Sequence, residues 1–215
     1  MKKILFFALL CALCSCGSGN SKKNTAVINL HEGQEWVDLG LPSGLKWAKC
    51  NVGASAPEEC GDYFSWGETT SKSGYYDYNY DSMLWQVPFN DFAGDPEYDA
   101  AAANWGGDWR MPTRTEFEEL MKNCTWTWTS QNGNNGYQVT GTNGQSIFLP
   151  AAGYCNGTNK KEVGVYGHYW GSTPDEIDPS DTDEYATILY FLDGYQDVRN
   201  WRRYDGRSIR PVFED

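Results

Sequence analysis

The chain has 215 residues, with 17 Lys+Arg against 29 Asp+Glu and a formal charge of -12. That balance opposes nucleic-acid binding and polybasic attachment to anionic lipid, and the length suits one domain with an ordinary core. Aromatics make up 15% of the chain and glycine occurs 23 times, a mixture that favours short strands and tight turns over disorder.

Residues 1–15 read as an export leader: Lys2-Lys3, an apolar run over 4–13, then Ser15 before Cys16. About ten residues at ~1.5 Å each cover half of a ~30 Å bilayer core, too little for a span. Leu13-Cys14-Ser15-Cys16 resembles a bacterial lipobox, which would make Cys16 the lipid-attachment residue; an ordinary secretory signal is the alternative. Residues 16–30 are a polar tether, and 31–215 form the single domain.

Within that domain, residues 37–41 and 45–50 read as strands around a Pro42-Ser43-Gly44 turn, and 63–66 as a short strand closed by Gly67. Residues 75–80 alternate tyrosine with polar residues, and 99–103 suit one or two helical turns. The clearest helix is 114–123. Thr113 and Glu116 make a capping box, Pro112 keeps the preceding residues extended, and Phe117, Leu120 and Met121 share one face. Period-two alternation at 125–129 places Trp126 and Trp128 on one sheet face. Strands at 137–140 and 146–149 continue a meander through turns at 133–136 and 142–144. The last strands are 163–170, 185–192, 197–202 and 207–213, with Asp193-Gly194 and Asp205-Gly206 as turn pairs.

Six ordered blocks then point to a family: LGLPSGLKWAKCNVG (39–53), GDYFSWGE (61–68), residues 104–120, IFLPAAGY (147–154), YWGST (169–173) and GRSIRPV (206–212). Together they resemble the Fibrobacter succinogenes major paralogous domain family. Residues 109–117 and the closing Arg-Pro-Val also resemble the C-type-lectin-like and formylglycine-generating-enzyme superfamily. The resemblance implies an α+β fold with two short helices, a twisted antiparallel sheet and long binding loops. It also implies that variable residues gather just before the terminal Arg-Pro-Val strand. In that bacterial group an acidic run after the lipid cysteine is associated with surface export. Lys22-Lys23 stands here instead and leans towards the periplasmic leaflet of the outer membrane.

Catalytic readings are tested by counting ligands. No cysteine follows Cys155, so the late copper-binding pair of formylglycine-generating enzymes is missing, and His31 and His168 are the only histidines. The segment His31-Glu32-Gly33-Gln34-Glu35 lacks the second histidine of a zincin, and no Gly-x-Ser-x-Gly elbow or phosphate loop occurs. Cys50, Cys60, Cys124 and Cys155 have no close Cys-x-x-Cys spacing, and four cysteines permit three disulfide pairings. The family resemblance implies Cys50–Cys124 and, with it, Cys60–Cys155. Residues 173–184 concentrate six carboxylates; a solvated loop is the plain reading, with calcium as the cofactor to consider.

Binding is expected at YQDVRNWRRYD (195–205), through Tyr195, Arg199, Trp201, Arg203 and Tyr204. Alternation would place Arg199, Trp201 and Arg203 on one strand face, with Asn200 and Arg202 on the other. The tyrosine run at 75–80 is a second candidate. The expected role is a lipid-anchored, non-enzymatic envelope domain that recognises a glycan, peptide or protein partner. The alternatives are a structural envelope component and an enzyme of the formylglycine-generating type.

Overall fold

The computed structural model describes residues 29–81, 84, 91–175 and 184–214. Cys16, the leader, most of the tether and most of the acidic 173–184 loop lie outside the described residues.

The fold is mixed α+β, with mostly antiparallel strands in several sheets and two helices among the described residues. In chain order the strands are β1 (Leu30–His31), β2 (Gln34–Asp38), β3 (Lys46–Ala48), β4 (Thr125–Gln131), β5 (Asn134–Thr140) and β6 (Ser146–Pro150). They continue with β7 (Tyr154–Asn156), β8 (Asn159–Lys161), β9 (Gly167–Pro174), β10 (Tyr185–Leu192), β11 (Tyr195–Arg202) and β12 (Val212–Phe213). The helices are α1 (Ala100–Trp105) and α2 (Arg114–Asn123). The sheets run β1-β2-β3-β12, β11-β10-β9, β4-β5-β6 and β7-β8.

Helix α2 begins where local chemistry demands. The Thr113 side chain accepts from the Glu116 amide, and Glu116 Oε2 accepts from the Thr113 amide at 2.7 Å. Its inward residues Phe117 and Leu120 are fully buried. At its start the Arg114 amide donates to Thr173 Oγ1 (2.9 Å), and Arg114 Nη1 donates to Asn200 Oδ1 (3.0 Å), so the helix lies against β9–β11. The shorter α1 is capped by Asp99, a buried carboxylate. Its Oδ1 accepts from the Ala101 and Ala102 amides, and its Oδ2 from those of Gly94 and Met111. Burial raises the pKa of Asp99 and these four amide bonds oppose the rise.

Two main clusters fill the interior. One joins Leu39, Trp47, Phe117, Leu120, Tyr137, Leu149, Tyr169, Leu189 and Phe191, with Trp126 and Trp128 packed against it. The expected shared face of the tryptophans is present: both rings meet Tyr137 edge-on, at 5.3 and 5.1 Å. The second cluster joins Phe64, Trp66, Phe92, Ala101, Met111, Trp170, Ala186, Ile188 and Ile209. The β9–β11 sheet therefore has apolar material on both faces at β9 and β10, whereas β11 is half-buried along most of its length.

The tail is fixed by Arg210, which is fully buried. Its guanidinium donates to Asn51 Oδ1 (2.7 Å) and to the carbonyls of Ala48 (3.1 Å), Lys49 (2.7 Å) and Phe148 (3.0 Å). Beside it Val212 pairs with Trp47. At the same edge His31 stacks on Phe213 with ring centroids 4.1 Å apart.

Four expected strands need correction. The strand expected at 37–41 lies instead at Gln34–Asp38. Residues 63–66 make only an isolated bridge, Phe64 to Arg207. The strand expected from 163 starts at Gly167, because Glu162 (φ 62) and Gly164 (φ 80) form a turn ahead of it. Residues 207–211 are held by isolated bridges and side-chain bonds, and regular pairing begins only at β12.

Candidate functional site

The site is built at the half-covered end of the β9–β11 sheet. Antiparallel register places Ala186 opposite Trp201, Ile188 opposite Arg199, and Tyr190 opposite both Asp197 and His168. Directly paired residues share a face, so Arg199 and Trp201 lie together, as expected from alternation. Arg199 Cζ sits 4.2 Å over the Tyr190 ring. Its Nη2 donates to Asp197 Oδ2 (2.9 Å) and to the Tyr195 hydroxyl (3.0 Å). Tyr195 is 44% exposed. Trp201 is half-buried, 5.9 Å from His168 in an edge-on contact. Tyr204 is half-buried too, and its hydroxyl accepts from Arg202 Nη1 at 2.9 Å.

Arg203 departs from this group. β11 ends at Arg202, and Arg203 turns inward to zero exposure. Its Cζ lies 4.2 Å over Trp66 and its Nε donates to the Tyr185 carbonyl (3.0 Å). Alternation fails there because the strand has stopped and a turn has begun. Arg203 is a packing residue.

Beside Trp201 opens a cleft of about 420 Å³ lined by Tyr154, Asn156, Lys161, Tyr185, Asn200, Trp201, Arg202 and Asp205. One wall comes from the β7–β8 hairpin, whose two-residue loop has Gly157 at φ +61, a sign that only glycine takes at ease. The hairpin is bonded to the chain after β11: the Cys155 amide donates to the Gly206 carbonyl (2.7 Å), and the Gly206 amide donates back (2.9 Å). The back of the cleft is a buried ion pair. Asp205 Oδ2 accepts from Arg207 Nη2 (3.1 Å), and Asp205 Oδ1 from Asn156 Nδ2 (2.9 Å). Arg207 is fully buried, with its Cζ 4.4 Å over Trp170, 5.6 Å from the Tyr154 ring and 5.7 Å from the Trp201 ring. Burial pushes its pKa down to about 10, and Asp205 opposes that.

His168 stands behind these rings, 1% exposed, among Tyr154, Tyr166, Tyr190 and Trp201. Neither ring nitrogen makes a hydrogen bond; Glu162 Oε2 comes within 3.4 Å of Nε2 without hydrogen-bond geometry. Desolvation, then the positive charges of Arg207 and Arg199, push its pKa down to about 3. Burial prevails over the half-exposed Glu162, and the ring is neutral at ordinary pH.

The tyrosine run divides. Tyr75 and Tyr80 are buried, donating to the carbonyls of Tyr63 and Trp66, while Tyr76 and Tyr78 stack at 4.9 Å with Tyr78 79% exposed. A larger hollow of about 580 Å³ is bounded by Asp81 and Leu84, which flank residues outside the description, and its lining is incomplete. Cys50, Cys60, Cys124 and Cys155 are free thiols, so neither Cys50–Cys124 nor Cys60–Cys155 is formed in this structure. Cys60 and Cys155 do meet in one cluster with Tyr63 and Tyr75. Among the described residues no group of three or more His, Cys, Asp or Glu could hold a metal ion; of the acidic loop, residues 176–183 lie outside them. No helix among the described residues is long and apolar enough to cross a membrane.

Sequence reasoning did not nominate Tyr154, Asn156, Lys161 or Tyr185 as site residues, and reached Asp205 only as the end of the 195–205 segment. The Asn156-Gly157 turn signal marks the hairpin, but only the Cys155–Gly206 pairing, across about fifty positions, brings it to Trp201.

The geometry defines an α+β domain with a ring-walled, cation-rimmed cleft beside an edge strand. Residues 113–212, from the helix cap to the terminal strand and including all but a few cleft-independent elements, match the model of a domain of unknown function (DUF8237). No curated protein and no solved structure matches the chain.

Proposed function

We propose that this chain is a non-enzymatic recognition domain of the bacterial cell envelope, anchored to the outer membrane through lipid on Cys16. In this reading it holds a glycan, peptide or protein partner on the face formed by β11 and the β7–β8 hairpin. The observation that carries the proposal is the cleft beside Trp201, where aromatic walls meet polar side chains on a largely pre-bonded frame. Tyr195, Arg199, Trp201 and Tyr204 remain in the binding set; Arg203 leaves it.

Binding is favoured over catalysis by the state of the titratable groups. His168 is neutral and enclosed by rings, and the Asp205 carboxylate is oriented by Arg207 and Asn156 as a fixed hydrogen-bond acceptor. The order of elements supports a lectin-like scaffold of the Fibrobacter succinogenes major paralogous type: a capped α2 ahead of the late strands, and an Arg-Pro-Val tail returning to β3. A glycan and peptide array probed with the wild type and with Trp201→Ala tests the proposal. Ligands that bind the wild type and are lost in the variant are expected; a binding profile unchanged by Trp201→Ala overturns it.

A further inference from the structure

We propose that the cleft between the β7–β8 hairpin and the end of β11 takes a carboxylated pyranose, a uronic-acid unit of a polysaccharide; this rests on the recognition reading above and narrows it to one ligand class.

Three features of the cleft select that chemistry. Its walls include the Trp201, Tyr154 and Tyr185 side chains, and the C–H face of a pyranose ring packs on such flat apolar surface. Its polar groups suit hydroxyls: Asp205 accepts one bond at each carboxylate oxygen, leaving lone pairs on both, and Asn156 brings an amide beside it. A carboxylate next to an amide, each with capacity to spare, is a match for vicinal hydroxyls.

The third feature is charge. Lys161 and Arg202 are exposed at the cleft, and among the described residues neither takes part in a salt bridge. Arg199, further along β11, is matched by Asp197, and Arg207 by Asp205. Lys161 Nζ donates to Asn156 Oδ1 (3.4 Å) and Arg202 Nη1 to the Tyr204 hydroxyl (2.9 Å), neutral partners that leave both charges without a carboxylate, so in a chain of formal charge -12 the mouth of this cleft is a local positive site. A neutral sugar would leave both unused. An acidic peptide would use them but brings no array of hydroxyls for Asn156 and Asp205. A sugar acid uses walls, floor and rim together, and a volume of about 420 Å³ accommodates a sugar unit with room for its neighbour.

The test uses the full-length protein, with tryptophan fluorescence and calorimetry against trigalacturonate, its methyl ester and triglutamate. Trigalacturonate is expected to bind and to change the fluorescence. Its methyl ester should bind about tenfold more weakly, the loss of one charge-assisted hydrogen bond. Lys161→Gln and Arg202→Gln combined should erase most of that difference, and each alone part of it, while retaining the fold, as read by circular dichroism. Leu30→Ala, at an exposed side chain on β1 in a different sheet, should change nothing. Equal binding of acid and ester overturns the sugar-acid assignment, as does tighter binding of triglutamate. If either of those ligands is lost in Trp201→Ala, the recognition face survives and only the ligand class fails. Binding of trigalacturonate that ignores Trp201→Ala, Lys161→Gln and Arg202→Gln removes the cleft from both proposals.

Discussion

Arg110 and Glu116 are joined through both of their planar ends: Nη1 donates to Oε2 at 2.8 Å and Nη2 to Oε1 at 2.6 Å. The same Glu116 closes the capping box of α2, and Arg110 Nη2 also reaches Glu214 Oε1 at 2.7 Å. One carboxylate thus starts the helix and ties it to the bridge between Arg110 and Val212. Both side chains are 15% exposed, well inside the range where losing a partner is costly.

Glu116→Ala is therefore expected to lower stability by about 2 kcal/mol, because the guanidinium keeps only the exposed Glu214 as an ionic partner and the cap bond is lost as well. Glu118→Ala removes only the half-exposed i,i+4 contact with Arg114 and should cost no more than about 0.5 kcal/mol. Urea unfolding of the two variants checks the contrast. Similar midpoints would mean that the fork between Arg110 and Glu116 adds nothing.

Arg210→Lys should be severe for a substitution that keeps the charge. The buried guanidinium reaches four acceptors in a fan. An ammonium has three donors on one atom and cannot serve Asn51 and Phe148 from the same place. A loss of about 2–4 kcal/mol is expected, as a lower urea midpoint with an unchanged m-value.

His168 gives the fold an acid sensitivity with a definite sign. Its pKa falls from 6.5 to about 3 in the folded chain, so the unfolded chain takes up the proton first. The stability it permits is complete above pH about 6.5 and declines as pH falls towards 3, by at most about 1.4 kcal/mol per unit. His168→Phe removes that dependence and two unbonded ring nitrogens. The difference in unfolding free energy between variant and wild type should widen from pH 7 to pH 4. Parallel curves would contradict the assignment.

Burial pushes the thiols of Cys124 and Cys155 up to about 11. At pH 8 both should react slowly with a thiol reagent in the folded protein and quickly in urea. Titration of the unfolded, unreduced protein reads the redox state as well. Two missing thiols there would report one disulfide, and peptide mapping would show whether it joins Cys60 to Cys155, neighbours in the fold.

What the sequence disclosed was what is decided within a few residues. Residues 114–123 are helical as read, because the Thr113–Glu116 box and the Phe117–Leu120 stripe are local facts. Residues 185–192 form the expected strand, closed by Asp193-Gly194. The placing of Arg203 beside Arg199 and Trp201 went astray because β11 stops at Arg202 and the turn that follows carries the next side chain inward, which alternation does not encode. The cleft was half legible: Trp201 is its landmark, but Tyr154 and Lys161 arrive through pairing at Gly206. The six sequence blocks led to the α+β class that the structure has, and left the cleft's ligand to chemistry.

The stacking of His31 on Phe213, over Trp109, brings the first and last strands of the described fold to one pole. Segments ahead of β1 and behind β12 therefore leave the fold side by side. Tension on them would fall on the β1–β2 and β3–β12 pairs, and the β7–β8 hairpin and β11 would stand outside the path of the load.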